Sequence, residues 1–358
     1  MTNEFWKGKR VLITGHTGFK GGWLSLWLQV KGAHVIGYSL SPPTEPSLFE
    51  LASVKEGMVS IEGDIRDLNH LKNSIAKHQP EIVFHMAAQP LVRYSYRHPV
   101  ETYSTNVIGT VNVLEVVRLS RGIKAVVCIT SDKCYENREW QWGYREIDPM
   151  GGHDPYSSSK GCAELVIAAY RNSYFSADEY ESHGVAVAST RAGNVIGGGD
   201  WSEDRLIPDM IKAFLENRSV IIRSPNAIRP WQHVLEPLSG YLSLAEKLWL
   251  SGPELAQGWN FGPNVEDSKP VSWLVGKMVE LWNEGASWEL DSVQNPPEDN
   301  YLRLDSTKAI TMLGWAPKIH LITALEWVCE WYRGYQQNMD LRLLSERQIE
   351  RYENLGTE

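Results

Sequence analysis

The sequence predicts a doubly wound α/β fold: a parallel sheet covered by helices on both faces, with a smaller second lobe. Three observations carry that expectation. Short apolar runs alternate with helical patterns over about the first 190 residues. The runs are near-continuous in apolar character, as strands buried on both faces require. The first of them breaks into a glycine-spaced turn that opens a helix.

The elements follow in order. Val11-Leu12-Ile13-Thr14 reads as the first strand. Gly22 to Lys31 carries Trp23, Leu24, Leu26, Trp27 and Leu28 at helical spacing. Ala33 to Tyr38 and Met58 to Ile61 read as the next strands, and a polar helix is expected from Asp67 to His78. Glu81 to His85 is a fourth strand. Pro99 to Ser120 reads as one long helix with Val107, Val111, Leu114 and Val117 on one face. Ala125 to Ile129 is a fifth strand. Asp154 suits a helix cap and Pro155 the first helical position. Val185 to Ala188 is a further strand. After Arg191 the texture changes: Gly197-Gly198-Gly199-Asp200-Trp201 reads as a flexible loop, followed by short strands and helices rich in Pro and Trp. The expected division is residues 1–192 as a dinucleotide-binding domain and 193–358 as mainly a ligand-binding lobe, with some segments returning to the main sheet. The charged tail from Ser345 is expected to fray.

Composition narrows the partners. The chain has 358 residues, 42% hydrophobic and 22% charged, enough for a substantial core. Its net charge is −9 without a block of like charge, which argues against nucleic acid; any anion site must be local. The cysteines Cys128, Cys134, Cys162 and Cys329 form no C-x-x-C pair and fit no zinc ribbon, so no metal site is expected. Neither a disulfide framework nor a secretory signal is expected, and a reducing cytoplasm is the natural compartment. No apolar run is long enough to span a bilayer. The 15 tryptophans are expected to serve core packing.

Thr14-Gly15-His16-Thr17-Gly18-Phe19-Lys20-Gly21 spaces its glycines as G-x-x-G-x-x-G. Gly15 suits a tight turn, Gly18 lets backbone approach a pyrophosphate, and Gly21 lets helix pack on strand. The pyrophosphate then meets free N–H groups and the positive end of a helix dipole. Gly15, Thr17, Gly18, Phe19 and Gly21 are therefore candidate cofactor contacts. Asp64 and Ile65 follow the third strand, where Asp64 is placed to meet the adenine amino group. His85-Met86-Ala87-Ala88-Gln89 follows the fourth; Ala87, Ala88 and Gln89 join the cofactor set, while His85 is expected to be a packed histidine. The second strand ends at Tyr38-Ser39-Leu40, with neither the acid that holds ribose hydroxyls nor an arginine, so these residues leave NAD against NADP open.

Tyr156-Ser157-Ser158-Ser159-Lys160 puts a phenol and an ammonium four apart, on one face of a helix. A neighbouring cation lowers a phenol pKa, and the tyrosinate can then take a proton from a hydroxyl as hydride leaves its carbon.

Together, Thr14 to Gly21, His85 to Ala88, Tyr156 to Lys160 and Arg191-Ala192-Gly193-Asn194 resemble the extended short-chain dehydrogenase/reductase family over nearly the whole chain. The resemblance implies NAD as cofactor, with Tyr156 and Lys160 acting on the substrate hydroxyl and the nicotinamide ribose. It also implies that Asn106 positions the lysine helix. Thr130-Ser131-Asp132-Lys133-Cys134-Tyr135 ends the fifth strand at the ligand crevice. Sugar-nucleotide 4,6-dehydratases of this family carry a hydroxyl residue, an acid and usually Glu there. This chain has Ser131, Asp132 and then Lys133. That departure, with Thr14 to Trp23 and Gly198-Gly199-Asp200-Trp201, resembles the dehydratases that act on CDP-glucose.

The chemistry implied is internal redox, with hydride leaving C4 and returning at C6. Tyr156 takes the C4 hydroxyl proton, protonated Asp132 serves the departing C6 hydroxyl, and Lys133 assists at C5. Lys133 beside Asp132 would favour the ionised carboxylate and so oppose its role as an acid. Asn194, Arg205 and Arg229 match positions where the family binds the diphosphate, Arg303 is a further candidate, and Arg93 is placed to reach the sugar. The family also implies a homodimer built from the helices Pro99–Ser120 and Tyr156–Ser173, or a dimer of dimers, and a role in making deoxysugars for surface polysaccharide such as lipopolysaccharide O-antigen. Alternatives are a GDP-mannose 4,6-dehydratase, a nucleotide-sugar C4 epimerase, and a non-catalytic dinucleotide-sensing protein.

Overall fold

A computed structural model describes residues 3–283, 285–291 and 301–356. Its centre is a seven-stranded parallel sheet. We label β1 Arg10–Thr14, β2 His34–Ser39, β3 Val59–Glu62, β4 Ile82–His85, β5 Ala125–Ile129 and β6 Ala186–Ala192. The seventh strand, Gly258–Phe261, pairs with β6, so the order is 258–261, β6, β5, β4, β1, β2, β3. Strand order therefore reverses between β1 and β4, which sit side by side with Thr14 opposite His85. A crevice must open at their carboxyl ends.

The two faces carry separate cores. One holds Val11 and Ile13 of β1 with Trp23, Trp27, Leu238 and Trp327; the other holds Leu12 with Val113, Val117 and Ile167. Nine of the 15 tryptophans are buried, so packing accounts for most of the tryptophan-rich composition. No helix among the described residues is long and apolar enough to cross a membrane.

Two expectations are corrected. The stretch from Pro99 to Leu119 runs helically, but Ser104–Ile108 forms a π-turn within it. That wider turn slips the register, so Asn106, Thr110, Val113, Leu114 and Val117 are buried while Val107 and Val111 are only half-buried. The tail from Ser345 does not fray. Leu341–Asn354 is a helix capped by Asp340, whose side chain accepts from the Leu343 N–H. It buries Leu344, Ile349 and Tyr352 and packs on the helix Phe19–Val30. There Trp27 Nε1 donates to Glu353 at 2.8 Å, Lys31 pairs with Glu353, and Arg342 reaches Gln29 Oε1 at 2.9 Å. A charged, polar sequence hid one apolar stripe.

Candidate active site

Gly15 leaves β1 with φ +80°, a left-handed conformation open to glycine, and a Cβ there would lie 2.8 Å from the Ala87 backbone. At Gly21 a Cβ would sit 2.1 Å from the Gly15 carbonyl oxygen. The helix Phe19–Val30 thus starts hard against the loop, with Gly18 at its cap and no side chain capping it. Its first N–H groups are left for an anion. Thr17 Oγ1 bonds Ser39 Oγ at 2.8 Å and the Leu40 carbonyl at 3.0 Å, tying the loop to the end of β2. These features fit a dinucleotide pyrophosphate.

Thr14 Oγ1 accepts the Met86 and Ala87 N–H groups, both at 3.1 Å, and bonds His85 Nδ1 at 2.8 Å. His85 Nε2 meets Thr110 Oγ1 at 2.9 Å, and that hydroxyl donates to the Asn106 carbonyl. With Thr110 donating onward, His85 must donate from Nε2 and accept at Nδ1. Burial pushes its pKa down to about 3, so it is neutral, as a packed histidine should be. Asn106 lies in the π-turn, a feature that often marks functional sites. It bonds both the N–H and the carbonyl of Gln89 and donates to Ser159 Oγ at 2.8 Å, joining the β4 loop directly to the helix Pro155–Ser173. That helix begins as expected, with Asp154 accepting from the Ser157 N–H.

The β5 end and this helix converge on a cavity of about 480 Å³ lined by Phe19, Ala88, Ser131, Asp132, Lys133, Tyr156 and Lys160. Ser131 Oγ donates to Asp132 Oδ1 at 3.0 Å and accepts from the Lys133 N–H. Asp132 Oδ2 is buried without a hydrogen-bond partner among the described residues. A Cβ on Gly193 would stand 3.0 Å from that oxygen, so glycine is what leaves the carboxyl room. Burial raises the Asp132 pKa, against the pull of Lys133, Ser131 and Arg229. Desolvation therefore outweighs the neighbouring lysine, and the carboxyl leans toward its acid form. The phenol of Tyr156 behaves differently from expectation. Burial pushes its pKa up to about 12 despite a hydrogen bond with Ser131, and Lys160 is not among its main influences. Lys160 is itself drawn down by burial to about 8, with Glu164 opposing.

Behind the site lies a buried ion pair. Arg191 on β6 reaches Glu164 through Nε at 2.9 Å and Nη2 at 2.8 Å, and Thr130 Oγ1 donates to the same carboxylate. Arg191 Nη1 also donates to Tyr135, just beyond the Ser131–Lys133 turn. One carboxylate thus locks the β5 end, the helix with Tyr156 and Lys160, and β6 together.

Of the expected substrate ligands, Asn194, Arg93, Arg205 and Arg229 line the cavity. Arg205 pairs with Asp200 at 3.0 Å, and Arg93 with Asp204 at 3.3 Å. Arg303 is not brought there; its Nη2 donates to the Gln141 carbonyl at 2.5 Å. Asp64, expected at the adenine rather than in this cavity, is held by Arg66, whose Nε lies 2.9 and 3.0 Å from its two oxygens; Ile65 beside it is buried. Two cavity cations escaped the sequence reading. Arg223 shares Asp204 with Arg93. Lys20 is half-buried, but its ammonium lies deep, 3.0 Å from the Tyr241 hydroxyl; burial, with Lys160 and Arg205, lowers its pKa to about 7. The sequence did hold a signal for Lys20: a cation in the first turn of a helix opposes the dipole. A group of metal-ligand type, Glu266, Asp267 and His320, gathers outside the cavity.

A parallel sheet with a glycine turn at its switch point, and a Tyr-x-x-x-Lys helix facing a hydroxyl–acid turn, define an extended short-chain dehydrogenase/reductase. The model of the GDP-mannose 4,6 dehydratase family matches residues 12–326, and the chain belongs to that family. It is 59% identical over 354 residues to a CDP-glucose 4,6-dehydratase of Salmonella typhimurium, covering 99% of each. Among solved structures, a dTDP-glucose 4,6-dehydratase from Bacillus anthracis in complex with NAD has a TM-score of 0.75 at 22% identity, over 93% of this chain and 99% of that one. A UDP-glucose 4-epimerase from Thermotoga maritima with UDP-glucose has a TM-score of 0.78 at 23% identity, over 91% and 99%.

Proposed function

We propose that this protein dehydrates CDP-D-glucose to CDP-4-dehydro-6-deoxy-D-glucose. The observation that carries the reaction type is a buried, acid-leaning Asp132 beside Ser131 and Tyr156 in one cavity. Identity of 59% across nearly the whole length of a CDP-glucose 4,6-dehydratase supports the choice of nucleotide.

NAD, when bound, supplies a two-electron acceptor that takes hydride from C4 and gives it back at C6. The glycine turn Gly15–Gly21 and the helix it opens hold its pyrophosphate, with Thr17, Phe19, Ala87, Ala88 and Gln89 around it. Tyr156 takes the proton from the C4 hydroxyl, and Lys160 holds the ribose. The C4 ketone then acidifies the C5 proton, which Lys133 assists in removing. Asp132 gives its proton to the leaving C6 hydroxyl, so that water departs. Return of a proton to C5 completes the product. Asn194, Arg205 and Arg229 meet the anionic end of the substrate, where bidentate guanidinium contacts suit a diphosphate, and Arg93 reaches the sugar.

Two further features belong to this reading. The protein forms a homodimer through the helices of residues 99–120 and 155–173, whose exposed Ile108 and Leu165 support the pairing. It works in the cytoplasm, which its four free cysteines favour.

The test incubates purified protein with NAD⁺ and, separately, CDP-, GDP-, UDP- and dTDP-hexoses, reading 4-keto-6-deoxy product by alkaline absorbance and mass. Loss of one water from CDP-glucose alone is expected. A product of unchanged mass with inverted C4 would make the protein an epimerase.

A further inference from the structure

The helix that carries Tyr156 has a second pocket at its far end. Arg171 lies 15 residues along it, about 22 Å at the usual rise of ~1.5 Å per residue. With Asn172, Phe175 and Ser176 it faces Pro253 and Ala256, enclosing about 170 Å³. That is about a third of the volume of the catalytic cavity, too small for a sugar nucleotide.

Arg171 is an anomaly there. Its Nη1 is buried without a hydrogen-bond partner, and no carboxylate reaches ion-pair distance among the described residues. Arginine is rarely buried unless paired, because a guanidinium out of water needs acceptors for its N–H groups. The carboxylate that acts on it, Glu164, is already engaged by Arg191, Thr130 and Ser189. Two more cations share the neighbourhood: Arg191 acts on Arg171, and Arg171 acts on Lys308. Lys308 spends its ammonium on the Gly258 carbonyl at 2.8 Å.

We propose that this pocket binds a small oxyanion, a phosphate or a short carboxylate, with Arg171 as its charged ligand. A guanidinium presents paired donors that match two oxygens of such an anion. Asn172 and Ser176 add uncharged donors at the rim, and Phe175, Pro253 and Ala256 close the apolar side. The site is separate from the cavity that holds the reacting sugar, and it sits at the other end of the helix that positions Tyr156 and Lys160.

The test follows thermal unfolding of the full chain with saturating NAD⁺ and CDP, so that anion ligands of the catalytic cavity are occupied. Inorganic phosphate and acetate are titrated in parallel against chloride at matched ionic strength. A saturable rise of about 2 °C at roughly tenfold excess over Kd is expected with at least one of them, and which one identifies the anion class. Arg171→Met removes that rise. Ser176→Ala, which leaves the guanidinium in place, weakens the response several-fold. The proposal is overturned if neither anion shifts the parent, as when water alone serves Nη1, or if both variants respond as the parent does.

Discussion

Ser131 Oγ donates to Asp132 Oδ1 at 3.0 Å, while the other oxygen of that carboxyl is buried and unpartnered among the described residues. One side of Asp132 is thus fixed and the other is free to hold a transferable proton.

Asp132→Asn should keep C4 oxidation but lose elimination by roughly 10²–10⁴-fold, the usual contribution of a positioned acid. Rapid-quench mass analysis would find a 4-keto hexose that retains its water. Stability moves the other way. A carboxyl with a raised folded pKa stabilises the fold below its unfolded pKa and loses that contribution as pH rises through the folded value. The Asn variant should therefore melt higher than the parent at pH 8, with the gap closing toward pH 4. Equal gaps at both pH values would show that burial of Asp132 carries no charge penalty.

Tyr156 should ionise near 12 in the protein without cofactor. The ultraviolet difference titration between parent and Tyr156→Phe isolates this one phenol. Adding NAD⁺ should shift that difference curve to lower pH, since a nearby positive charge favours the phenolate. Activity of the Phe variant should fall by about 10²–10⁴-fold with nucleotide binding retained. An unmoved titration would place the activating charge elsewhere.

Glu164→Gln leaves Arg191 charged, buried and unpaired. Loss of about 3–5 kcal/mol in denaturant unfolding is expected. A loss under about 1 kcal/mol would mean that the lock between β5, β6 and the Tyr156 helix is not a principal support.

Glu236 is buried, and burial lifts its pKa to about 7, although the Lys318 and Ile319 N–H groups and Tyr352 bond to it. Protein stability should decline between about pH 4.5 and 7 through this group. Glu236→Gln, which keeps the two N–H bonds at its oxygen and can donate to Tyr352 instead of accepting from it, should flatten that part of the stability profile, read by urea midpoints across the range. An unchanged slope would sink the assignment.

Much of this was legible in the sequence because it depends on near neighbours. The strand-turn-helix at Thr14–Gly21 shows in its glycine spacing, the Asp154 cap in two adjacent residues, and the Tyr156–Lys160 pair in one helical turn. What escaped depends on distant packing. Whether Arg205 or Arg303 faces the ligand is decided by loops far apart in the chain, and composition around the two is similar. The slip at Ser104–Ile108 follows from satisfying Asn106 against Gln89 and Ser159, which no periodic pattern encodes. For Asp132 and Lys133 the sequence showed opposing charges, but only burial decides which influence wins.

The docking of Leu341–Asn354 onto Phe19–Val30 places a late helix against the helix that the glycine turn opens. A ribosome delivers these two segments some 300 residues apart. Trp27 and its neighbours must therefore wait, partly unsheltered, until residues 341–354 have been synthesised. Closing so long a loop is slow, and chains held in that state expose apolar surface. Yield in the cell should accordingly be set less by how stable the finished molecule is than by how well its unfinished form is protected.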